Sequence, residues 1–228
     1  MVKLPFRDRV EAGERLAAEL VNHDLSADVV VLALPRGGLP LGFEVAKALR
    51  APLDVVVVRK LGVPWQPELA MGAIAGGSVQ VLDRDLIASL RISQHDIDAA
   101  IQKESIEVER REKLYRGGRP VTDLHARTVL LVDDGLATGS TMLVAVRYVR
   151  TFKPARIVIA VPVGSTEACR RLKKEVDEFV CLATPESFMA VGEWYVDFRQ
   201  ISDAEVENWL AESRRQKKAA ELELHRAR

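Results

Sequence analysis

The segment Val129-Leu-Leu-Val-Asp-Asp-Gly-Leu-Ala-Thr-Gly-Ser-Thr141 decides the predicted fold of the chain. Its apolar start predicts a buried strand, the two aspartates mark the end of that strand, and small residues then lead to hydroxyl side chains where a helix is expected to begin. Backbone N–H groups at a helix N-terminus bind phosphate well, and hydroxyls add donors. Paired carboxylates beside such a cradle suit sugar hydroxyls or a metal ion. The segment therefore predicts a ligand that carries a phosphate, a diol and a metal ion.

Apolar runs alternate with helical patterns on both sides of this segment. Strands are predicted at Val29–Leu34, Leu53–Val58, Val129–Val132, Arg156–Val161 and Phe179–Ala183, and helices at Arg7–His23, Leu39–Leu49, Ser93–Tyr115, Thr141–Phe152, Thr166–Lys174 and Asp203–Arg228. This alternation predicts an α/β fold with a mainly parallel sheet and helices on both faces. Residues 1–228 are predicted to form a single domain with a core at about 24–183, a small C-terminal hood at about 184–201 and a last helix at about 203–228.

Three polar or glycine-rich loops are expected to follow strands of this sheet, at Pro35–Gly38, Arg59–Leu69 and Asp133–Ser140. Within the second of them, Leu61–Leu69 contains two prolines, a glycine and few apolar anchors, which predicts a mobile loop. Short strands are predicted after it, at Ala70–Ala75 and Val79–Leu82. Because ligands of open α/β sheets bind beyond the carboxyl ends of the strands, the three loops should converge.

Composition and charge exclude several other classes of protein. Lysine plus arginine equals aspartate plus glutamate at 33 each, which argues against nonspecific nucleic-acid binding as the main role. The chain starts without the apolar core of a signal peptide, and its apolar runs stay below the roughly 20 residues that a membrane span needs. A cytoplasmic protein is therefore predicted. Cys169 and Cys181 lack a metal-binding spacing and are predicted to be reduced thiols, and the four histidines are scattered along the chain.

The segment Val129–Thr141 resembles, at essentially every position, the signature with which type I phosphoribosyltransferases bind phosphoribosyl pyrophosphate (PRPP). In that family the paired acids hold the 2′- and 3′-hydroxyls of the ribose, and the loop after them wraps the 5′-phosphate. The resemblance implies that Asp133 and Asp134 face the ribose and a Mg²⁺ ion. It implies phosphate binding by the next residues, which are Ala137, Thr138, Gly139, Ser140 and Thr141.

Two further stretches strengthen the resemblance. Pro35-Arg36-Gly37-Gly38 resembles the family's pyrophosphate loop, in which backbone amides and an arginine receive the leaving group. Arg59 and Lys60 resemble basic residues that also contact pyrophosphate, although such a pair taken alone is more often solvated. The segment Lys60–Met71 resembles the flexible loop that closes over the active site. The implied reaction displaces pyrophosphate from C1 of PRPP with Mg²⁺ present, and Arg36 and Lys60 neutralise the charge on the leaving group.

The identity of the acceptor stays open at this stage, because the chain combines features of two groups in the family. Ala137 stands where enzymes for 6-oxopurines usually carry an acid, and Leu136-Ala-Thr-Gly139 resembles the adenine enzymes. Those enzymes place a glutamate in the mobile loop, for which Glu68 is the nearest candidate. The alternative is that Glu68 is a solvated loop acid.

The hood sequence instead resembles the hypoxanthine–guanine enzymes. Pro185–Arg199 follows their order with an offset of one residue. On that resemblance Phe188 stacks on the base, Met189 offers backbone contacts to it, and Arg199 reaches pyrophosphate. The alternative is that the aromatic residues of this stretch pack a C-terminal flap.

The favoured function is Mg²⁺-dependent transfer of a phosphoribosyl group from PRPP to a nitrogenous base or another small acceptor, with release of pyrophosphate. Relatives are commonly dimers, so a homodimer is expected. The main alternative is a regulator that senses PRPP or a nucleotide without turnover. The chain keeps Arg36, Lys60 and a candidate closing loop, which a pure sensor needs less. A PRPP synthetase-like enzyme fits less well, since the chain is short and lacks a recognisable ATP site.

Overall fold

Two sheets and the helices around them make up the part of the chain that the computed structural model describes, residues 3–25, 28–76 and 79–226. In these residues the strands are β1 (Val29–Ala33), β2 (Leu53–Val55), β3 (Val58–Val63), β4 (Gln66–Ala75), β5 (Val79–Leu82), β6 (Thr128–Val132), β7 (Arg156–Val163) and β8 (Glu178–Ala183). The helices are α1 (Arg9–Leu20), α2 (Gly38–Leu49), α3 (Arg84–Ser89), α4 (Gln94–Arg116), α5 (Ser140–Arg150), α6 (Thr166–Leu172) and α7 (Asp203–Arg226).

The larger sheet has five parallel strands in the order β2-β1-β6-β7-β8. Its strands are continuous apolar runs because both of its faces are covered. Val31 and Ala33 of β1 pack into the core on one face, while Val30 and Leu32 pack into the core on the other. The predicted α/β fold with a mainly parallel sheet is confirmed.

Helices cover both faces of this sheet, as predicted. Leu16 of α1, Leu41 of α2 and Val206 of α7 belong to one core. Val149 of α5 and Leu172 of α6 belong to the other. No helix in the described ranges is long and apolar enough to cross a membrane. The single-domain organisation of the whole chain stays a prediction.

The prediction of a loop at Leu61–Leu69 is wrong, because these residues form the outer half of an antiparallel hairpin between β3 and β4. Leu61 and Val63 are fully buried, so alternate residues of β3 anchor the hairpin to the core. At Gly62 the pairing shifts, and a Cβ there would lie 2.5 Å from the carbonyl oxygen of Pro67. The glycine therefore permits a close approach of the strands, whereas the sequence interpretation counted it as a sign of a loop.

Other predicted strand and helix boundaries also differ from those in the structure. The apolar run Leu53–Val58 was expected to be one strand, but β2 ends at Val55 and β3 begins at Val58 in the second, three-stranded sheet β3-β4-β5. Apart from Asp54 the run is apolar, because both sheets bury it, so its pattern does not show the break. Arg59 and Lys60 consequently lie inside β3 and not at the end of a parallel strand. Helix α3 was not predicted, and the last two residues of the predicted final helix lie outside the described residues.

The hood at 184–201 contains a short 3₁₀ helix, Val191–Trp194, and is joined to the N-terminal segment. Phe6 forms a parallel bridge with Tyr195. The backbone N–H of Phe6 donates to the carbonyl of Trp194 at 2.8 Å, and that of Val196 donates to the carbonyl of Phe6 at 2.8 Å. The residues just before α1 therefore help to hold the hood over the sheet, which local sequence patterns do not reveal.

Candidate functional site

The turn between β6 and α5 presents backbone N–H groups to one open side. Two of its carbonyls are held from the opposite side, since Ser165 Oγ donates to the carbonyl of Ala137 at 2.7 Å and Arg171 Nη2 donates to that of Thr138 at 2.6 Å. In a trans peptide the following N–H points opposite to the carbonyl, so the N–H groups of Thr138 and Gly139 face away from these donors. The first N–H groups of α5, from Ser140 onward, also lack intrahelical partners. The turn can thus receive an anion.

Gly139 makes the geometry of this turn attainable. It adopts a left-handed conformation, with φ of 70°, directly before α5. A Cβ at this position would lie 2.9 Å from the side chain of Leu172 on α6. Both the backbone conformation and the close packing of α6 therefore favour glycine at this point of the turn.

The two aspartates at the end of β6 have different hydrogen-bond partners. Asp133 Oδ1 accepts the backbone N–H of Asp134 at 2.9 Å. Asp134 Oδ2 accepts Nε of Arg9 at 2.8 Å, and both of these side chains are largely buried, at 10% exposed for Arg9 and 14% for Asp134. Burial, followed by the charge of Asp134, raises the pKa of Asp133 well above its ordinary value. Burial also raises the pKa of Asp134, although Arg9 partly offsets this effect.

The loop that contains Arg36 lies directly against these aspartates. A Cβ on Gly37 would be 2.0 Å from Asp134 Oδ2, and a Cβ on Gly38 would be 2.7 Å from the carbonyl oxygen of Val132. The peptide bond between Pro35 and Arg36 is cis. The predicted convergence of the first and third loops at one edge of the sheet is therefore present in the structure.

A cavity of about 700 Å³ lies between the β3–β4 hairpin and α4. Four of the predicted functional side chains line it together with the first turn of α5, namely Arg36, Arg59, Lys60 and Glu68, with Thr141 from the helix. Arg59 is paired with Glu104 of α4 at 2.7 Å. The guanidinium of Arg36 lies 4.0 Å from the carboxylate of Asp203 on α7. The structure thus brings the basic residues to the opening beside the start of α5, although Thr141 is the one predicted phosphate-binding residue in the described lining of this cavity.

The predicted hood residues lie outside the lining of this cavity. Phe188 stacks on Trp194 with ring centroids 6.1 Å apart, and Met189 is 83% exposed. The guanidinium of Arg199 is paired with Glu205 at 2.7 Å, while its backbone carbonyl accepts Arg9 Nη1 at 2.8 Å. The hood does reach the turn, since a Cβ on Gly135 would be 2.6 Å from Val191.

Arg9 and Tyr195 are the residues of the site that the sequence interpretation missed. Tyr195 OH donates to the carbonyl of Asp134 at 2.6 Å, and burial raises the pKa of this tyrosine. Arg9 lies 3.8 Å from the ring of Phe198 and so connects the acidic turn to the hood. A signal for Arg9 existed, because a charged residue occupies the buried face of α1 beside Ala12 and Leu16.

The carboxylates fit a metal ion that is held mainly by substrate. In residues 3–25, 28–76 and 79–226, no group of three or more His, Cys, Asp or Glu side chains could hold a metal by itself. Mg²⁺, however, is usually bound by one or two carboxylates together with substrate phosphates and water. Asp133 and Asp134, next to an anion-binding turn, provide that set of donors.

Comparison with known proteins agrees with this geometry. Rv0571c of Mycobacterium tuberculosis H37Rv, which is named as a phosphoribosyl transferase, is 47% identical over 210 residues, covering 92% of this chain and 47% of that protein. The chain thus spans about half the length of the curated relatives it matches. The crystal structure of TT1426 from Thermus thermophilus has 42% identity and a TM-score of 0.77, covering 92% of this chain and 99% of that chain. Residues 7–199 match the model of the phosphoribosyl transferase domain, and the chain therefore belongs to that family.

Proposed function

We propose that this protein transfers a phosphoribosyl group from PRPP to a nitrogenous base and releases pyrophosphate, with Mg²⁺ as cofactor. The observation that carries the proposal is the contact between the loop at Arg36 and the acidic turn, where Gly37 leaves no room for a side chain beside Asp134. A pyrophosphate held by the loop and a ribose 5-phosphate held by the turn would then belong to one molecule. PRPP has this arrangement of groups.

Each part of the site has a task in this reaction. The N–H groups at Thr138–Thr141 receive the 5′-phosphate, and the carboxylate of Asp133 accepts hydrogen bonds from the ribose hydroxyls. Arg36 and Lys60 stabilise the negative charge that develops on the leaving pyrophosphate. Asp133 and Asp134 would hold Mg²⁺, which would supply positive charge to neutralise the phosphates.

Arg9 has a supporting task at this site. Its ion pair with Asp134 Oδ2 engages one oxygen of that carboxylate before any ligand arrives. The pair fixes the direction of Asp134, and Tyr195 fixes the backbone of the same residue from the hood. We therefore infer that Asp133 makes the more direct contact with the sugar, and that Arg9 acts as a positioning residue.

The β3–β4 hairpin is proposed to close over the bound substrate. Lys60 and Glu68 are exposed on it, and its tip carries Trp65, which is 60% exposed. Closure would exclude water and suppress hydrolysis of PRPP. Glu68 is proposed to handle the proton of the acceptor, and the ring of Phe188 to stack on the base after the hood moves toward the cavity.

The decisive experiment incubates the protein with PRPP and Mg²⁺ against a panel of purine and pyrimidine bases and follows pyrophosphate release. The expected result is turnover with one base, abolished in Asp133→Asn and retained in the matched control Asp123→Asn, an exposed loop aspartate. PRPP binding without turnover on any base would identify a sensor and contradict the proposed reaction.

Two predictions accompany this proposal. A homodimer is expected from the family resemblance, and sedimentation velocity would test it; a monomer at micromolar concentration would contradict it.

A cytoplasmic location stays a prediction from the sequence, to be checked by fractionation of the native host.

A further inference from the structure

A second concave region lies at the end of the parallel sheet where the strands begin. The candidate active site lies at the other end, where the strands finish. It consists of two adjoining cavities of about 240 and 320 Å³, which share Pro52, Arg127 and Lys217. Pro52 precedes β2, and Arg127 precedes β6. The region therefore lies at the beginnings of the strands, whereas the acidic turn follows a strand's carboxyl end. The two places are separate.

Positive charge dominates the smaller of these cavities. Its lining contains five cationic side chains and one carboxylate, namely Arg116, Arg119, Arg127, Arg214 and Lys217 with Asp54. Both oxygens of Asp54 are already engaged. Oδ1 accepts Arg116 Nε at 3.1 Å, and Oδ2 accepts the backbone N–H and the hydroxyl of Thr122, each at 2.9 Å. The carboxylate of Asp54 is thus occupied by Arg116 and by the loop at Thr122.

Two of the arginines lack an acidic partner. Arg119 Nε donates to the carbonyl of Arg116 at 3.0 Å, and its guanidinium makes no ion pair with any side chain that the structure describes, a set that leaves out those of 220–226. Arg214 of α7, which is only partly exposed, makes neither a hydrogen bond nor an ion pair with a residue whose side chain the structure describes, which on α7 means residues up to 219. Burial, followed by the positive charge of Arg119, lowers the pKa of Arg214, although the carboxylate of Asp54 partly offsets this effect. The cavity therefore places the exposed cation of Arg119 near the partly buried cation of Arg214, and the two like charges repel each other.

We propose that this cavity binds a small phosphate-bearing anion, with Arg119 and Arg214 as its main contacts. A phosphate would relieve the repulsion, and the planar fork of a guanidinium matches two phosphate oxygens at once. The hydroxyl of Ser213 also lines the cavity and adds a donor. Together the two cavities have room for pyrophosphate or for a nucleotide. The inference does not depend on the proposed transfer reaction.

Helix α7 connects this cavity with the candidate active site. Asp203, at its start, accepts the hydroxyl of Tyr115 at 2.6 Å and lies 4.0 Å from Arg36. Arg214 follows about 16 Å further along the same helix, given a rise of about 1.5 Å per residue. Tyr115 itself is the neighbour of Arg116 in α4. An anion that fixes α7 against the end of α4 is thus placed to affect the surroundings of Arg36.

The test counts pyrophosphate ions bound per chain by equilibrium dialysis with labelled pyrophosphate. The wild-type chain should bind two, one in each region, and Arg119→Gln/Arg214→Gln should bind one. Arg36→Gln/Lys60→Gln should keep the ion at Arg119, which separates this inference from the proposed reaction. The matched control is Arg110→Gln/Arg215→Gln, since both arginines are exposed on α4 and α7.

Two results of the dialysis would overturn the proposed phosphate site. An unchanged number of ions in Arg119→Gln/Arg214→Gln, or an equal loss in the control variant, would overturn the inference. Repeating the dialysis with a labelled nucleoside monophosphate distinguishes the source of the phosphate, and the tighter ligand is the candidate.

Thermal unfolding gives a second readout. In buffer without multivalent anions, Arg119→Gln/Arg214→Gln should have a higher Tm than the wild type, because the repulsion is gone. Added pyrophosphate should raise the Tm of Arg36→Gln/Lys60→Gln. It should leave unchanged the Tm of the quadruple variant, Arg119→Gln/Arg214→Gln/Arg36→Gln/Lys60→Gln. A lower Tm of Arg119→Gln/Arg214→Gln in such buffer would contradict the repulsion on which the site rests.

Discussion

The acidic turn after β6 and the basic β3–β4 hairpin both adjoin the loop at Arg36, but the protein holds their charges in different ways. Asp134 is paired with a buried arginine, and Asp133 accepts a backbone N–H. Lys60 and Glu68 on the hairpin are exposed. The turn is preorganised for a ligand, whereas the exposed tip of the hairpin, beyond the buried anchors Leu61 and Val63, can move without breaking buried contacts. Substitutions in the turn should therefore affect stability, whereas those in the hairpin should affect mainly the reaction.

The largest effect is expected for Asp134→Asn. This change leaves the buried guanidinium of Arg9 without its counter-charge, which costs about 3 kcal/mol of the free energy of unfolding. Urea denaturation would measure the loss, with Asp123→Asn as the control, expected within about 0.5 kcal/mol of the wild type. A loss below about 1 kcal/mol would mean that the ion pair does not hold the turn.

Gly37→Ala should come next. The new Cβ would lie 2.0 Å from Asp134 Oδ2, so the loop and the acidic turn must separate. We expect a loss of about 2 kcal/mol in the free energy of unfolding, together with a clear loss of PRPP affinity. Gly118→Ala is a useful comparison, since its Cβ would meet nothing within 4 Å and only its left-handed backbone, with φ of 77°, opposes the change. Gly118→Ala should leave PRPP affinity intact.

Asp133→Asn should separate binding from stability. A carboxyl whose pKa is raised on folding binds more protons in the folded state, so stability falls as pH rises from the ordinary value, about 3.9, through the raised pKa. The asparagine amide of the variant does not ionise, so the variant does not lose stability in this way. The variant should therefore have a higher Tm than the wild type at pH 7, with the difference shrinking toward pH 4. PRPP affinity should fall at least about tenfold, because a charged acceptor is lost. A lower Tm at pH 7 would refute the assigned burial cost.

The smallest effect on stability is expected for Arg59→Gln in the hairpin. Its ion pair with Glu104 is partly exposed, and such pairs contribute at most about 1 kcal/mol. If Arg59 contacts pyrophosphate, the KM for PRPP should rise while urea denaturation stays close to the wild type. A loss of stability as large as that of Asp134→Asn would remove the distinction between the two regions.

The parallel sheet and the phosphate turn could be predicted from the sequence because their signals are local. Each buried strand is a continuous apolar run, and the turn follows directly from one of them. The hairpin was missed because Gly62 and the prolines look like a loop, while the anchors Leu61 and Val63 are only two residues. Arg9 was missed for another reason: its partner lies 125 positions away, and no local pattern connects them.

The pairing of Arg9 with Asp134 has a consequence for the newly made chain. Translation runs from the N-terminus at about 5 to 20 residues per second, so the 125 positions between the two residues take about 6 to 25 s to synthesise. During that interval α1 can pack against α2, which is already made, but the cation on its buried face has no counter-charge. The buried ion pair is therefore completed only after the ribosome has synthesised β6.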